Sequence, residues 1–186
     1  MTVGFAVCGS HCTFSQIFPA MEELAKHHKV IPIFSQAAAS TDTRFGSARE
    51  HLQRAEAICG CAPILTVAQA EPIGPKKLLD ALVIAPCTGN TLAKLAHSIA
   101  DSPVTMAAKS HLRNGRPILI GVSTNDALAG AAENIGKLMG RRHYYFIPFG
   151  QDDPTQKPTS MVADFSKLLP ALEAALGGRQ LQPILL

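Results

Sequence analysis

No apolar run in this chain approaches the roughly 18 residues that a membrane-crossing helix needs. The opening stretch, MTVGFAVCGS, has no basic residue ahead of its apolar part, Val3 to Cys8. That part is also short for a secretion signal, so it reads as a first strand and the expected location is the cytoplasm. Long basic clusters are missing too: Lys76-Lys77 and Arg141-Arg142 are the longest, and the net charge is only +3. A nucleic-acid surface normally needs a basic stripe, so nucleic acid is not an expected partner. Cysteines number five, Cys8, Cys12, Cys59, Cys61 and Cys87, an odd count that argues against a disulfide framework. Cys59 and Cys61 are separated by one residue, short of zinc-knuckle spacing, and no second Cys/His pair follows; no metal is expected. Neither G-x-G-x-x-G nor a P-loop is present, so the chain does not announce its own NAD or ATP site.

What is present suits a globular core. The 186 residues are 47% hydrophobic and 17% charged, enough apolar material for one domain. Val3–Cys8, Val30–Phe34, Leu79–Pro86, Pro117–Val122 and Tyr144–Phe149 are short apolar runs that read as buried strands. Pro32 marks the second of these as an edge strand or a strand start. Helical spacing is read over Phe14–Lys26, Ser47–Ile58, Thr88–Ala100, Val104–Arg113, Asn125–Met139 and Met161–Leu176. Residues 35–43, 62–76 and 150–159 read as loops. Strands and helices alternate throughout, which predicts a single-domain, Rossmann-like α/β fold of three layers, with a doubly wound, mostly parallel sheet. The expected domain covers residues 3–176, followed by a loose tail at 177–186.

In such a sheet ligands bind beyond the carboxyl ends of the strands, at the switch in strand order. Three loops qualify. Gly9-Ser10-His11-Cys12-Thr13 joins a glycine, hydroxyls and a helix start, a set suited to a phosphate or carboxylate. Pro86-Cys87-Thr88-Gly89-Asn90-Thr91 leads into the helix after the third strand, with Thr88 or Asn90 as its cap. Ser123-Thr124-Asn125-Asp126 lies between a buried strand and a helix. Each loop alone is also what an ordinary helix cap looks like; convergence of all three is what predicts a site. His11 is a candidate acid/base residue, and Cys87 has no sequence neighbour to activate it.

The segment Ala85-Pro-Cys-Thr-Gly-Asn-Thr-Leu-Ala93 resembles the flavoprotein superfamily, which includes flavin prenyltransferases and FMN-dependent cysteine decarboxylases. Ala100-Asp-Ser-Pro103, Arg116-Pro117 and Glu133-Asn-Ile135 resemble it as well. GSHCTF (9–14), TRFG (43–46), residues 71–96, STNDAL (123–128) and YYFIPFGQDDPTQKP (144–158) are similar to the family of dipicolinate synthase B subunits. The resemblance implies FMN as cofactor, held by Gly9, Ser10, Cys12, Thr13, Ser35, Pro86, Cys87, Thr88, Asn90, Thr91 and Ser123. It implies formation of dipicolinate from a dihydrodipicolinate-type precursor in sporulating cells, with an NAD(P)-binding A subunit as partner. His11, Asn90, Asn125 and Asp126 would then be the catalytic set, and the substrate a small dicarboxylate that also suits Lys157. Relatives form trimers or dodecamers, which implies a homo-oligomer. Two alternatives are a stand-alone FMN-dependent decarboxylase or prenyltransferase and a non-catalytic assembly subunit. Ser123 stands where flavin prenyltransferases carry an arginine, and Val122–Asp126 lacks the substrate clamp of the cysteine decarboxylases. Both departures speak against those two activities.

Overall fold

A computed structural model describes residues 1–186. The chain begins with β1 (Thr2–Val7), α1 (Phe14–His27), β2 (Lys29–Phe34), α2 (Gln36–Ser40), α3 (Ala48–Cys59) and α4 (Val67–Ala70). It continues with β3 (Ala81–Cys87), α5 (Gly89–Ala96), α6 (Pro103–Leu112), β4 (Ile118–Thr124), α7 (Ala132–Met139) and β5 (Tyr144–Phe146). The last elements are β6 (Phe149–Gly150), β7 (Met161–Ala163) and α8 (Leu168–Leu176).

Five parallel strands form the sheet in the order β2-β1-β3-β4-β5. Every residue of β3 is buried, and so are all of β1 after Thr2 and all of β4 before Thr124. Continuous apolar runs are what a parallel strand needs when helices cover both of its faces. Pro32 lies in β2, at the edge, where no outer strand asks for its missing N–H. α5 packs against α6 and α7, and α4 against α6. α8 lies on β3, β4 and β5, while α1 touches β2, β3 and the turn that leads into α8. One contiguous apolar core results, running from Val3 to Leu172. No helix is long and apolar enough to cross a membrane.

The chain leaves β1 toward β2 on one side and reaches β3 and β4 on the other, so the strand order reverses between β1 and β3. The carboxyl ends of those two strands carry the first two candidate loops.

Several elements differ from expectation. Residues 35–43 contain α2, nucleated by Ser35, whose hydroxyl accepts from Ala38 N–H at 3.3 Å. The irregular 62–76 stretch holds α4, closed by a capping box between Thr66 and Gln69. The helix after β3 stops at Ala96, leaving Ile99 exposed. The helix after β4 begins at Ala132, because Asp126 carbonyl accepts from Ala129 and Ala131 N–H and closes a turn first. Met161–Ala163 is a strand, pairing antiparallel with Ser123–Thr124 and with β6. The last ten residues are bound down: Gln180 pairs its amide with both backbone groups of Phe146 at 2.7 Å. Leu186 N–H donates to Phe149 carbonyl at 3.1 Å and Phe149 N–H to Ile184 carbonyl at 3.0 Å.

Candidate functional site

The first two loops are tied by backbone: Cys8 N–H donates to Pro86 carbonyl at 3.2 Å. The first and third are tied by side chains, with Ser10 Oγ 2.7 Å from Ser123 Oγ. The second and third pack closely. A methyl group at Gly89 would come within 2.7 Å of Asp126 Oδ1 and 2.9 Å of Thr124 Oγ1, so a side chain there would have to push these two side-chain tips aside. These contacts leave a cleft of about 510 Å³, lined by Gly9, Ser10, His11, Cys12, Thr88, Ser123 and Asn125 among the expected residues. Thr124, Arg44, Phe45 and Lys157 also line it, and no carboxylate does.

The remaining expected residues serve other ends. Thr13 is buried and its hydroxyl donates to Ser10 carbonyl at 2.8 Å, shaping the first loop. Thr91 is buried, its hydroxyl donating to Cys8 Sγ at 3.3 Å, and Pro86 and Cys87 lie behind the cleft in β3. Burial pushes the Cys8 thiol up to about 11 and Cys87 well above the usual thiol range, so neither is a thiolate at neutral pH. Ser35 caps α2 as an acceptor and does not line the cleft. Asn90 and Asp126 are exposed beside the cleft without lining it; Asp126 accepts a short hydrogen bond from Thr124 hydroxyl.

His11 points a ring nitrogen inward. Its Nε2 is buried and has no hydrogen-bond partner, and its ring lies 5.0 Å from that of Phe14. Burial, then the neighbouring His51 imidazole, hold its pKa below the usual histidine range. His11 is therefore neutral at pH 7 and able to accept a proton. The Gly9, His11 and Cys12 N–H groups find no acceptor in the chain, and the same is true of Gly89 and Asn90 at the start of α5. These amides, the two helix starts and two cations make an environment for an anion.

Arg44 and Phe45 were not identified as site residues from the sequence. They form the tip of a tight turn in which Thr43 and Gly46 exchange two backbone hydrogen bonds of 3.1 Å. Gly46 has φ +126°, a conformation that L side chains rarely adopt. The Arg44 guanidinium lies 4.8 Å from the Phe45 ring centroid, and Phe45 is 43% exposed. His51 supports this turn from below, its Nε2–H donating to Phe45 carbonyl at 3.2 Å. The signal for it was Thr-Arg-Phe-Gly, a turn glycine after an adjacent cation and aromatic. Lys157 reaches the cleft because its loop is fastened to the third: Thr159 hydroxyl donates to Asn125 carbonyl at 2.6 Å, and Leu128 N–H to Thr159 carbonyl at 3.0 Å. Its ammonium pairs with Asp152 at 3.0 Å.

Comparison with known proteins gives consistent results. The flavoprotein family model matches residues 1–146. The dipicolinate synthase B subunit of Bacillus subtilis (strain 168) is 48% identical over 184 residues, covering 98% of this chain and 92% of that protein. The crystal structure of the dipicolinate synthase B subunit from Bacillus halodurans C is 46% identical, with a TM-score of 0.91 over 100% of this chain and 95% of that one. Burkholderia xenovorans DmrB, a cubic protein cage for redox transfer solved in complex with FMN, is 18% identical with a TM-score of 0.68, covering 95% of each chain. At that identity the likeness speaks for the fold alone. The chain belongs to the flavoprotein family and, within it, to the group of dipicolinate synthase B subunits.

Proposed function

We propose that this chain is the B subunit of a dipicolinate synthase, forming dipicolinate from a dihydrodipicolinate-type precursor together with an NAD(P)-binding A subunit in sporulating cells. The observation that carries this reading is the cleft at the β1/β3 switch: three loops converge there with unpartnered amides, two cations and no carboxylate. A dicarboxylate suits such a site, because carboxylate oxygens accept from amides, hydroxyls and guanidinium alike.

The residues also fit the phosphate end of FMN, through the His11 and Cys12 amides and the Ser10 hydroxyl; Phe45 is the aromatic surface at hand for a ring. FMN, when bound, supplies a two-electron acceptor. The chain's own residues do the rest. Arg44 and Lys157 draw the carboxylates in, and Asn125 orients the ring. His11, which lines the cleft and is neutral at pH 7, takes the proton that leaves as the ring becomes aromatic. Asn90 and Asp126 flank the loops that hold these groups. The redox step makes this an oxidoreductase reaction.

The test is co-purification with the A subunit and assay of dipicolinate formation, beside a titration of the isolated chain with FMN by flavin fluorescence. Expected are saturable FMN binding, product only when both subunits are present, and at least a tenfold loss with Asn125→Ala. Full product formation by the A subunit alone would overturn the proposal.

A further inference from the structure

α5 runs from the cleft to the opposite edge of the sheet, and a second cavity opens at its far end. This cavity measures about 360 Å³, within the range of small-molecule sites. It lies between α5, α6 and the start of β5. Its floor is apolar, with Leu95 and Leu112 among the lining residues. Three cations line it, Lys109, Arg113 and Arg141, and no acidic residue does.

The cations are arranged in different ways. Arg141 is fixed: its guanidinium donates to Leu95 carbonyl at 3.0 Å and Ala96 carbonyl at 2.7 Å, covering the last turn of α5. Lys109, in the last turn of α6, and Arg113, its C-cap, stand four residues apart and form no ion pair or side-chain hydrogen bond. Like charges at that spacing cost a helix stability unless an anion lies between them. Tyr144 adds an independent sign. It is 8% exposed, it lines the cavity, and its hydroxyl has no hydrogen-bond partner in the protein. The hydroxyl is not sealed from solvent, so it is free to donate to a ligand in the cavity.

An apolar floor, three cations and an unspent hydroxyl describe one ligand chemistry. We propose that this cavity is a second binding site, remote from the cleft, for a small aromatic carboxylate. The ring covers Leu95 and Leu112, and the carboxylate meets Lys109, Arg113 and the Tyr144 hydroxyl. The proposal does not rest on the function assigned to the cleft.

The probe is 2-naphthoate, titrated into the full chain and followed by its own fluorescence, with circular dichroism as a check that each variant folds. The expected result is a saturable site that persists when the cleft is filled with dipicolinate. Affinity falls about tenfold in the Lys109→Gln/Arg113→Gln double variant, since each charged contact is worth several-fold. Tyr144→Phe weakens binding several-fold, and the uncharged 2-naphthamide binds at least tenfold more weakly than the acid. Ser10→Ala and Arg44→Ala, both in the cleft, leave naphthoate binding unchanged. The proposal is overturned if the intact chain shows no saturable binding, or if the double variant or the amide binds as tightly as the reference. Loss through the cleft variants, or loss that tracks self-association of the chain, overturns it as well.

Discussion

The two edges of the sheet differ in where their polar groups go. At the amino edge most are bonded within the chain. Thr2 N–H donates to Asp80 carboxylate at 2.9 Å and Asp80 N–H returns to Thr2 carbonyl at 2.7 Å. His111 Nε2–H donates to Pro117 carbonyl at 3.0 Å, and Asn114 Nδ2 to Gly74 carbonyl at 3.1 Å. Arg116 reaches the Lys77 and Leu79 carbonyls and the Asp80 carboxylate. At the carboxyl edge the loops hold one another by a few bonds and leave a row of amides and the Arg44 guanidinium without a partner in the chain, while Lys157 is shared with Asp152. The difference teaches that stability and binding draw on the same groups: a donor closed within the chain stabilises the fold, and a donor left open is available to a ligand.

The comparison breaks most visibly at His111. This imidazole is fully buried, and burial lowers its pKa to about 4 from 6.5. Above pH 6.5 both folded and unfolded chains carry it neutral. As pH falls from 6.5 toward about 4 the unfolded chain takes up a proton that the folded chain refuses, so stability declines across that window, by up to about 3 kcal/mol from this group. Chemical denaturation at a series of pH values will show the decline, and a shallower slope in His111→Gln; an unchanged slope excludes His111 as its source. At pH 7, His111→Ala removes one of the two hydrogen bonds to the Pro117 carbonyl, which keeps that from Leu82 N–H, and opens a void, for a loss of about 3 kcal/mol with ligand binding at the cleft intact.

A smaller effect is expected at the open edge. Arg44→Ala removes a guanidinium that bonds no carboxylate in the chain. The reconstituted two-subunit enzyme should show KM for the precursor raised about tenfold, kcat little changed, and the thermal midpoint unmoved. A fall in thermal stability with KM unchanged would place Arg44 among the structural residues. The smallest change falls on Ser10→Ala, which sits between the two classes because its hydroxyl is shared with Ser123. It should cost about 1 kcal/mol of stability and several-fold in FMN affinity, both read from titrations of the isolated chain.

The sequence carried the parallel strands and the three loops because both rest on local signals. A buried parallel strand is a continuous apolar run, and β1, β3 and β4 are such runs; a strand followed by Gly-Ser or Pro-Cys-Thr marks a loop at the strand's end. What was not legible depends on partners distant in the chain. Met161–Ala163 has no period of its own long enough to tell strand from helix, and becomes a strand because the end of β4 offers an open edge. The segment after Asn125 carries apolar Ala127, Leu128 and Ala131, enough to suggest a helix, yet Asp126 closes a turn first. Arg44 and Phe45 enter the cleft only because His51, on the next helix, holds their turn. Thr13, Thr91 and Ser35 matched the family pattern but face inward or cap a helix, a distinction that only packing makes.

The Ser10–Ser123 pair has a further consequence. Each hydroxyl can give its hydrogen to the other or receive one, so the pair exists in two orientations that differ only in where two hydrogens lie. In one the free hydrogen belongs to the strand-one side of the pocket, in the other to the strand-four side. Rotation about two C–O bonds exchanges them with every heavy atom at rest. A guest whose own polarity inverts during turnover therefore meets a counterpart that inverts with it.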